Sequence, residues 1–237
     1  MITVFTSSHS HGKYLPEAIE SVLNQTHSDF EYILIDDGGI DDTFDIMFDY
    51  AQKDDRIRFI PMLKQPTKGP LLNKSVQESF GDTWVWCPAD DVLHPQLLEK
   101  KLAVAKTLPK DAIIYSDYWY MNGDSQVTGE SNLINYTPET LAQAIWQTTR
   151  LIGFTGIWIP MDILKKLPMP EHVKYSEDFH WLLEACIQGY KFHHLKERLY
   201  YKRKHKGSVT SQNLKAVLAD VDNIRQELRR KYRDILT

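Results

Sequence analysis

Only two cysteines, Cys87 and Cys186, occur in 237 residues. Two distant thiols neither staple a fold nor build a zinc knuckle, and they suit a reducing cytosol. Long apolar runs are also missing, since no stretch reaches the roughly 18 uncharged apolar residues of a membrane span. Residues Met1 to Leu15 lack both a basic n-region and a long apolar h-region, so no secretory signal is visible. A basic excess is lacking as well. Lys and Arg number 28 against 32 Asp and Glu, a net charge of -4, which argues against nucleic acid as a partner. These absences leave a cytoplasmic globular protein, long enough to bury a core without staples, in one domain or one domain with an appendage.

What is present is an alternation of strands and helices. Ile2 to Phe5 is an apolar run, followed by a polar loop and a helical spacing of Leu15, Ile19, Val22 and Leu23 behind Pro16. Tyr32 to Ile35 is apolar on both strand faces, as in a buried parallel strand, and stops at Asp36-Asp37-Gly38-Gly39. A helix from Asp41 through Phe44, Met47, Phe48 and Ala51 follows, then a strand at Ile57 to Pro61. A helix from Gly69-Pro70 uses Leu71, Leu72, Val76 and Phe80, and Gly81 stops it. The strand Thr83 to Cys87 ends at Pro88-Ala89-Asp90-Asp91, and Leu97, Leu98, Leu102 and Ala105 mark the next helix. This order predicts an α/β fold with a mostly parallel sheet covered on both faces.

The second half is less regular. Strands are expected at Ala112 to Tyr120, after the turn at Asn122-Gly123-Asp124, at Phe154 to Ile159 and at Phe192 to Tyr201. Helices are expected from Pro138, at Met161 to Leu167, from Glu177-Asp178 to the Gly189 stop, and from Ser211 onward. The last carries an amphipathic stripe of Leu214, Val217, Leu218, Val221, Ile224 and Leu228. It divides the chain into a main domain at 1–210, with halves at 1–110 and 111–210, and a helical extension at 211–237. That stripe can pack on the body, pair two copies as a homodimer, or lie on an anionic membrane as a peripheral contact; packing is the simplest.

Acids occur as five adjacent pairs, and this composition gives about four by chance, so position has to decide which matter. Asp36-Asp37 and Asp90-Asp91 fall at strand carboxyl ends, where parallel sheets bind ligands. Asp41-Asp42 sits at a helix start, where acids offset the dipole, and Asp54-Asp55 in a polar turn. Two carboxylates at a sheet mouth can hold Mg2+ or Mn2+, or Asp91 can simply cap the following helix. Asp36-Asp37-Gly38 can equally be an ordinary βα turn, and Glu177-Asp178 ordinary first-turn acids.

The motifs taken together resemble the inverting family 2 glycosyltransferases of GT-A fold. Tyr14-Leu15, Ile19 to Thr26, Phe30 to Gly38, Leu72-Asn73, Gly81-Asp82, Asp90-Asp91, Ser176-Glu177-Asp178 with Trp181-Leu182, and His205 with Ser208 follow in that family's order. The resemblance implies a nucleotide-sugar donor, a UDP sugar first of all, and a glycan or lipid-linked acceptor in polysaccharide biosynthesis. Asp37 would accept the N–H of uracil, with Ser8, His9, Asn73 and Asp90 also at the nucleotide. Asp91 and His205 would hold a divalent cation, Mn2+ or Mg2+, with Asp90 on the ribose or the metal. Asp178 would be the base that takes the acceptor proton, Glu177 would orient neighbours or touch the acceptor, and Trp181 would touch the acceptor. The remaining aromatics at strand or helical spacing suit the core.

The sequence departs from that family at several points. Ser7-Ser8-His9-Ser10 stands where a Pro-Thr-Tyr-Asn run is usual, Gly39 replaces a serine, Pro88 replaces an acid, and Thr67-Lys68-Gly69 replaces an Asn-x-Gly. Two other functions fit a similar fold. A sugar nucleotidyltransferase needs a Gly-rich basic loop after strand one, but that loop offers only Gly12 and Lys13. A non-catalytic glycan-binding module would have no need of both Asp91 and Asp178.

Overall fold

The structure, a computed structural model, describes residues 1–133 and 152–236. The helix expected from Pro138 lies outside these residues. The first half runs β1 (Ile2–Ser8), α1 (Leu15–Leu23), β2 (Phe30–Asp37), α2 (Thr43–Ala51), β3 (Ile57–Met62), α3 (Gly69–Glu78) and β4 (Thr83–Trp86). The rest runs β5 (Val92–Leu93), α4 (Leu97–Ala105), β6 (Ala112–Met121), β7 (Val127–Glu130), β8 (Trp158–Pro160), α5 (Met161–Lys166), α6 (Glu177–Ile187), β9 (Lys191–Arg203), α7 (Val209–Gln212), α8 (Leu214–Lys231) and α9 (Arg233–Leu236).

These strands form one sheet in the order β3-β2-β1-β4-β8-β6-β9-β5, with β7 added to β6. The ladders β3-β2, β2-β1, β1-β4 and β6-β9 are parallel and hold most of the paired positions; β8, β5 and β7 pair antiparallel. Every residue of β2 is buried, as its unbroken apolar run requires. Strand alternation sends Phe5, Ile33, Ile35 and Trp84 into one core and Val4, Tyr32, Leu34 and Val85 into the other. The first core is closed by α3, α5, α6 and α8, the second by α1, α2 and α4.

Three expectations need correcting. Phe80 does not continue the α3 stripe: the helix ends at Glu78, and Phe80 is exposed under the Arg58 guanidinium, 4.4 Å from its ring centre. Phe44 and Phe48 of α2 are half-exposed, because β3 is the outermost strand and only Phe59 lies beneath them. The strand expected from Phe154 begins only at Trp158, since Gly156 takes a left-handed φ of 65° and breaks extension.

The C-terminal stripe packs on the body. Val221, Ile224 and Leu228 join the core that contains Phe179 and Leu183 of α6. Full burial of such aliphatic side chains is worth roughly 1.5–3 kcal/mol each, enough to hold one helix in place. Leu214 and Leu218, at the start of α8, stay exposed.

Lys101 of α4 is fully buried, and its ammonium donates to the carbonyls of Gly156 at 2.6 Å and Ile114 at 3.3 Å. Burial pushes its pKa down from 10.5 to about 7. An unfolded chain keeps this proton to higher pH, so between those two values the unfolded state binds more protons and stability rises with pH. Lys101→Met is expected to lose that rise. Denaturant titrations of both proteins from about pH 7 to about pH 9 measure it; equal slopes would exclude the buried charge.

Candidate active site

Parallel pairing brings the ends of β1, β2 and β4 to one edge, with Ser8 beside Asp36 and Cys87 donating its N–H to Phe5 at 2.8 Å. The β2 end is a rigid turn. Asp36 accepts the N–H of Gly39 at 3.0 Å, Gly38 takes φ 64°, and a Cβ there would lie 2.8 Å from the Lys64 nitrogen. Burial raises the Asp36 carboxyl, against the N–H groups of Gly39 and Gly38. Asp37 is buried, with one oxygen 2.5 Å from Lys64 Nζ and the other accepting the Gln65 N–H at 2.7 Å. His9 Nδ1 lies 3.0 Å from the Asp37 carbonyl, and the buried Ser8 hydroxyl has no hydrogen-bond partner.

Asp41 and Asp42, expected to serve only the helix start, also pin the loop after β1. Asp41 accepts the Gly12 N–H at 2.9 Å, and a Cβ on Gly12 would collide with the Asp42 carboxylate. This pinned loop presents His11, a partly buried imidazole whose Nδ1 has no partner among the described residues and whose pKa burial lowers.

The β4 end splits its acid pair. Asp90 turns outward, with Oδ2 3.0 Å from His205 Nε2. The His205 ring packs 4.8 Å from that of Tyr14 and 6.4 Å from that of His11. Burial works to raise the Asp90 carboxyl, but the hydrogen bond from His205 and the charges of His11 and Lys68 win and hold it below the usual carboxylate value. Asp91 turns inward and accepts Thr155 Oγ1 at 2.6 Å and the Arg203 N–H at 2.8 Å. Burial, then the charge of Asp90, pushes its pKa up to about 7.

Arg203 is a buried staple. Its guanidinium donates to the Asp90 carbonyl at 2.8 Å, to Ser125 Oγ at 2.8 Å and to the Glu17 carboxylate at 2.5 Å, and it covers the Tyr14 ring. One side chain thereby ties the acid loop to α1 and to the β6-β7 turn, and it places His205 two residues further on.

On the other side of the cleft, α6 begins with Glu177 and Asp178. Asp178 is half-buried, and its Oδ1 accepts the Phe179 N–H at 2.7 Å. Glu177 is buried, its Oε1 3.8 Å from Lys68 Nζ and its Oε2 unpaired. Burial, then the neighbouring Asp178, raises the Glu177 carboxyl despite Lys68. Lys68 is the residue that sequence reasoning missed. Burial opposes its charge, but Glu177, Asp90, Asp178 and Asp91 together raise its pKa. One ammonium therefore stands in the field of both acid pairs. The next residue, Gly69, lets the 170–171 backbone pack against the start of α3, since a Cβ there would lie 2.3 Å from the Pro170 carbonyl.

Two expected contacts are corrected. Trp181 is wholly buried, donates Nε1–H to the Leu167 carbonyl at 2.8 Å and packs edge-on against Phe154, so it offers no face to an acceptor. Asn73 spends its amide on the 169–171 segment: it donates to Met169 at 3.0 Å and to Glu171 at 2.8 Å, and it accepts the Met169 N–H at 2.9 Å. It braces the wall of the cleft instead of facing a nucleotide.

Comparison with known proteins bears on the family and the fold. Residues 3–167 match the model of glycosyl transferase family 2. An uncharacterised glycosyltransferase of Methanocaldococcus jannaschii is 28% identical over 188 residues, 79% of this chain and 64% of that protein. This chain thus spans somewhat under two thirds of that relative's length. Among solved structures, S. aureus TarS (residues 1–349) in complex with UDP-GlcNAc superposes with a TM-score of 0.73 at 18% identity, over 98% of this chain and 72% of that one. A mannosyltransferase from Pyrobaculum calidifontis, in complex with GDP-Man and Mn2+, gives 0.69 at 14% identity, over 91% and 60%. These likenesses show a shared GT-A fold. The family match runs through β1, β2 and β4, whose ends carry the acid pairs Asp36-Asp37 and Asp90-Asp91, and the chain belongs to glycosyl transferase family 2.

Proposed function

We propose that this glycosyltransferase is metal-dependent and inverting, and moves a hexosyl group from a UDP sugar to a hydroxyl of a glycan or lipid-linked acceptor. The observation that carries this reading is Lys68, whose ammonium lies 3.8 Å from Glu177 at the start of α6 and also stands in the field of Asp90, which meets His205 at 3.0 Å. A donor diphosphate and an acceptor hydroxyl must meet between such groups.

Asp37 keeps a lone pair on each oxygen beside its Lys64 and Gln65 partners, and an imide N–H of uracil can use one. Ser8 and His9 lie beside it on the β1 end, on the nucleoside side of the site. The donor set of Asp90 and His205, one carboxylate and one imidazole, suits Mn2+, and the unpaired His11 nitrogen nearby adds a second imidazole. Asp91 can contribute a lone pair left free by Thr155 and Arg203. A cation held there supplies charge neutralisation at the leaving diphosphate. Lys68 adds a fixed positive charge on the same side.

Transfer is then a single displacement. Asp178 takes the proton of the acceptor hydroxyl as that oxygen attacks the anomeric carbon. The bond from that carbon to the diphosphate oxygen breaks on the opposite face, and the anomeric configuration inverts. Glu177, buried behind Asp178 and facing Lys68, orients the ammonium rather than the acceptor.

A thermal-shift panel of nucleoside diphosphates with and without Mn2+ tests the reading. UDP with Mn2+ at about 100 times Kd is expected to stabilise by about 2.7 kcal/mol, or roughly 5–11 °C for a chain of this size. Other diphosphates, and UDP without metal, should shift far less. A stronger shift with another base would overturn the UDP assignment, and no shift with any diphosphate would overturn the reading as a whole.

A further inference from the structure

A second cluster of ligating side chains lies outside the cleft. Among the described residues, His172, His180 and Glu227 bring one ligand atom each within 4.8 Å of one another. His172 Nε2 is 3.0 Å from Glu227 Oε2, and His180 Nε2 is 3.3 Å from Glu227 Oε1. The two imidazoles meet edge to face at 5.5 Å. They come from three places: the loop after α5, the second turn of α6, and the last third of α8.

We propose that this cluster is a structural site for a Zn2+-class divalent ion, distinct from the cation site at Asp90 and His205. Nitrogen and oxygen donors about 2.0–2.2 Å from a tetrahedral Zn2+ lie about 3.3–3.6 Å apart; the two imidazole–carboxylate separations are near that, and the exposed His172 and Glu227 side chains can turn to bring all three ligand atoms, now within 4.8 Å, onto one ion. Two imidazoles and one carboxylate favour Zn2+ over Mg2+ or Ca2+. The support behind His180 is an independent sign. This imidazole is buried, its Nδ1 makes no hydrogen bond, and that nitrogen faces Glu184 Oε2 at 3.6 Å. A ligating histidine typically donates its other N–H to such a carboxylate, which fixes the tautomer and aims the ring. Glu184 is itself held by Lys231 and Tyr232, each at 2.6 Å. The side chains of His172 and Glu227 are 61% and 40% exposed, which leaves an entry path and room for a water as fourth ligand. A bound ion would join α8 to the helix whose first turn carries Asp178.

The test uses the full chain stripped of metal. Zn2+ titrated by calorimetry is expected to bind at one high-affinity equivalent in the Asp90→Ala variant, where the cleft site is disabled. It should also raise the melting temperature of that variant by roughly 5–11 °C at about 100 times Kd. Adding His172→Ala or Glu227→Gln, both at exposed side chains, is expected to abolish the binding and the shift while leaving the metal-free melting temperature within about 2 °C. Tight Zn2+ binding that survives both changes, or none in the Asp90→Ala protein, overturns the site. Neither outcome depends on whether the cleft transfers sugar.

Discussion

Asp178→Asn is expected to lower sugar transfer by about 10²–10⁴-fold, the usual contribution of a positioned general base, with UDP affinity unchanged. The substitution keeps shape and removes basicity. An asparagine oxygen can still accept the Phe179 N–H that Asp178 accepts now, so the first turn of α6 should survive. What disappears is the group that takes the acceptor proton. The UDP-binding groups lie at the ends of β1, β2 and β4, on other elements, and Lys68 retains Glu177 at 3.8 Å to hold it. Initial rates with saturating donor, beside calorimetry of UDP binding, separate the two effects. Full activity in this variant would remove Asp178 as the base, and equal losses in rate and UDP affinity would point to a collapsed cleft.

Chelation should be comparably severe. A cation at a leaving diphosphate is worth several kcal/mol in the transition state, which at 1.36 kcal/mol per decade means a loss beyond about 10²-fold. EDTA is expected to stop transfer, and Mn2+ to restore it in the wild type. In Asp90→Ala the restoration should fail, because that carboxylate, held ionised by His205, His11 and Lys68, is the outward-facing half of its pair. Asp91→Ala would test the site less cleanly. It would strip partners from Thr155 and the Arg203 backbone in the interior, and the protein would lose stability along with metal. Transfer that is indifferent to EDTA would take the metal out of the mechanism.

The first half of the fold was legible in the sequence because its elements obey simple rules. Parallel strands covered on both faces are apolar throughout, as β2 is, and their stops are sharp. Proline at the start of α1 and α3 and the left-handed Gly189 after α6 mark boundaries by backbone chemistry alone. Strand ends then select the acid pairs. Other features depend on packing between distant segments and carry no local signal. A lysine in the 63–68 loop gives no local sign that the start of α6 will lie 3.8 Å away. Arg203 looks like one of several basic loop residues, and only the meeting of α1, β7 and the acid loop buries it. Trp181 was misassigned because α6 is buried on nearly every side, from Phe179 to Cys186, so periodicity could not separate core from cleft.

The hydrogen bonds that build the acid loop also span the chain. Arg203 reaches Asp91 across 112 positions and Glu17 across 186, and His205 reaches Asp90 across 115. During synthesis, the β1-β2-β4 layer can pair long before these partners leave the ribosome. Until residue 205 emerges, Asp91 lacks the Arg203 N–H and Asp90 lacks its imidazole. Loops of such length are slow to close, and domains acquire structure from the N-terminus as they are made. Competence for donor binding should therefore arrive only once residue 205 has emerged, after most of the sheet is already in place.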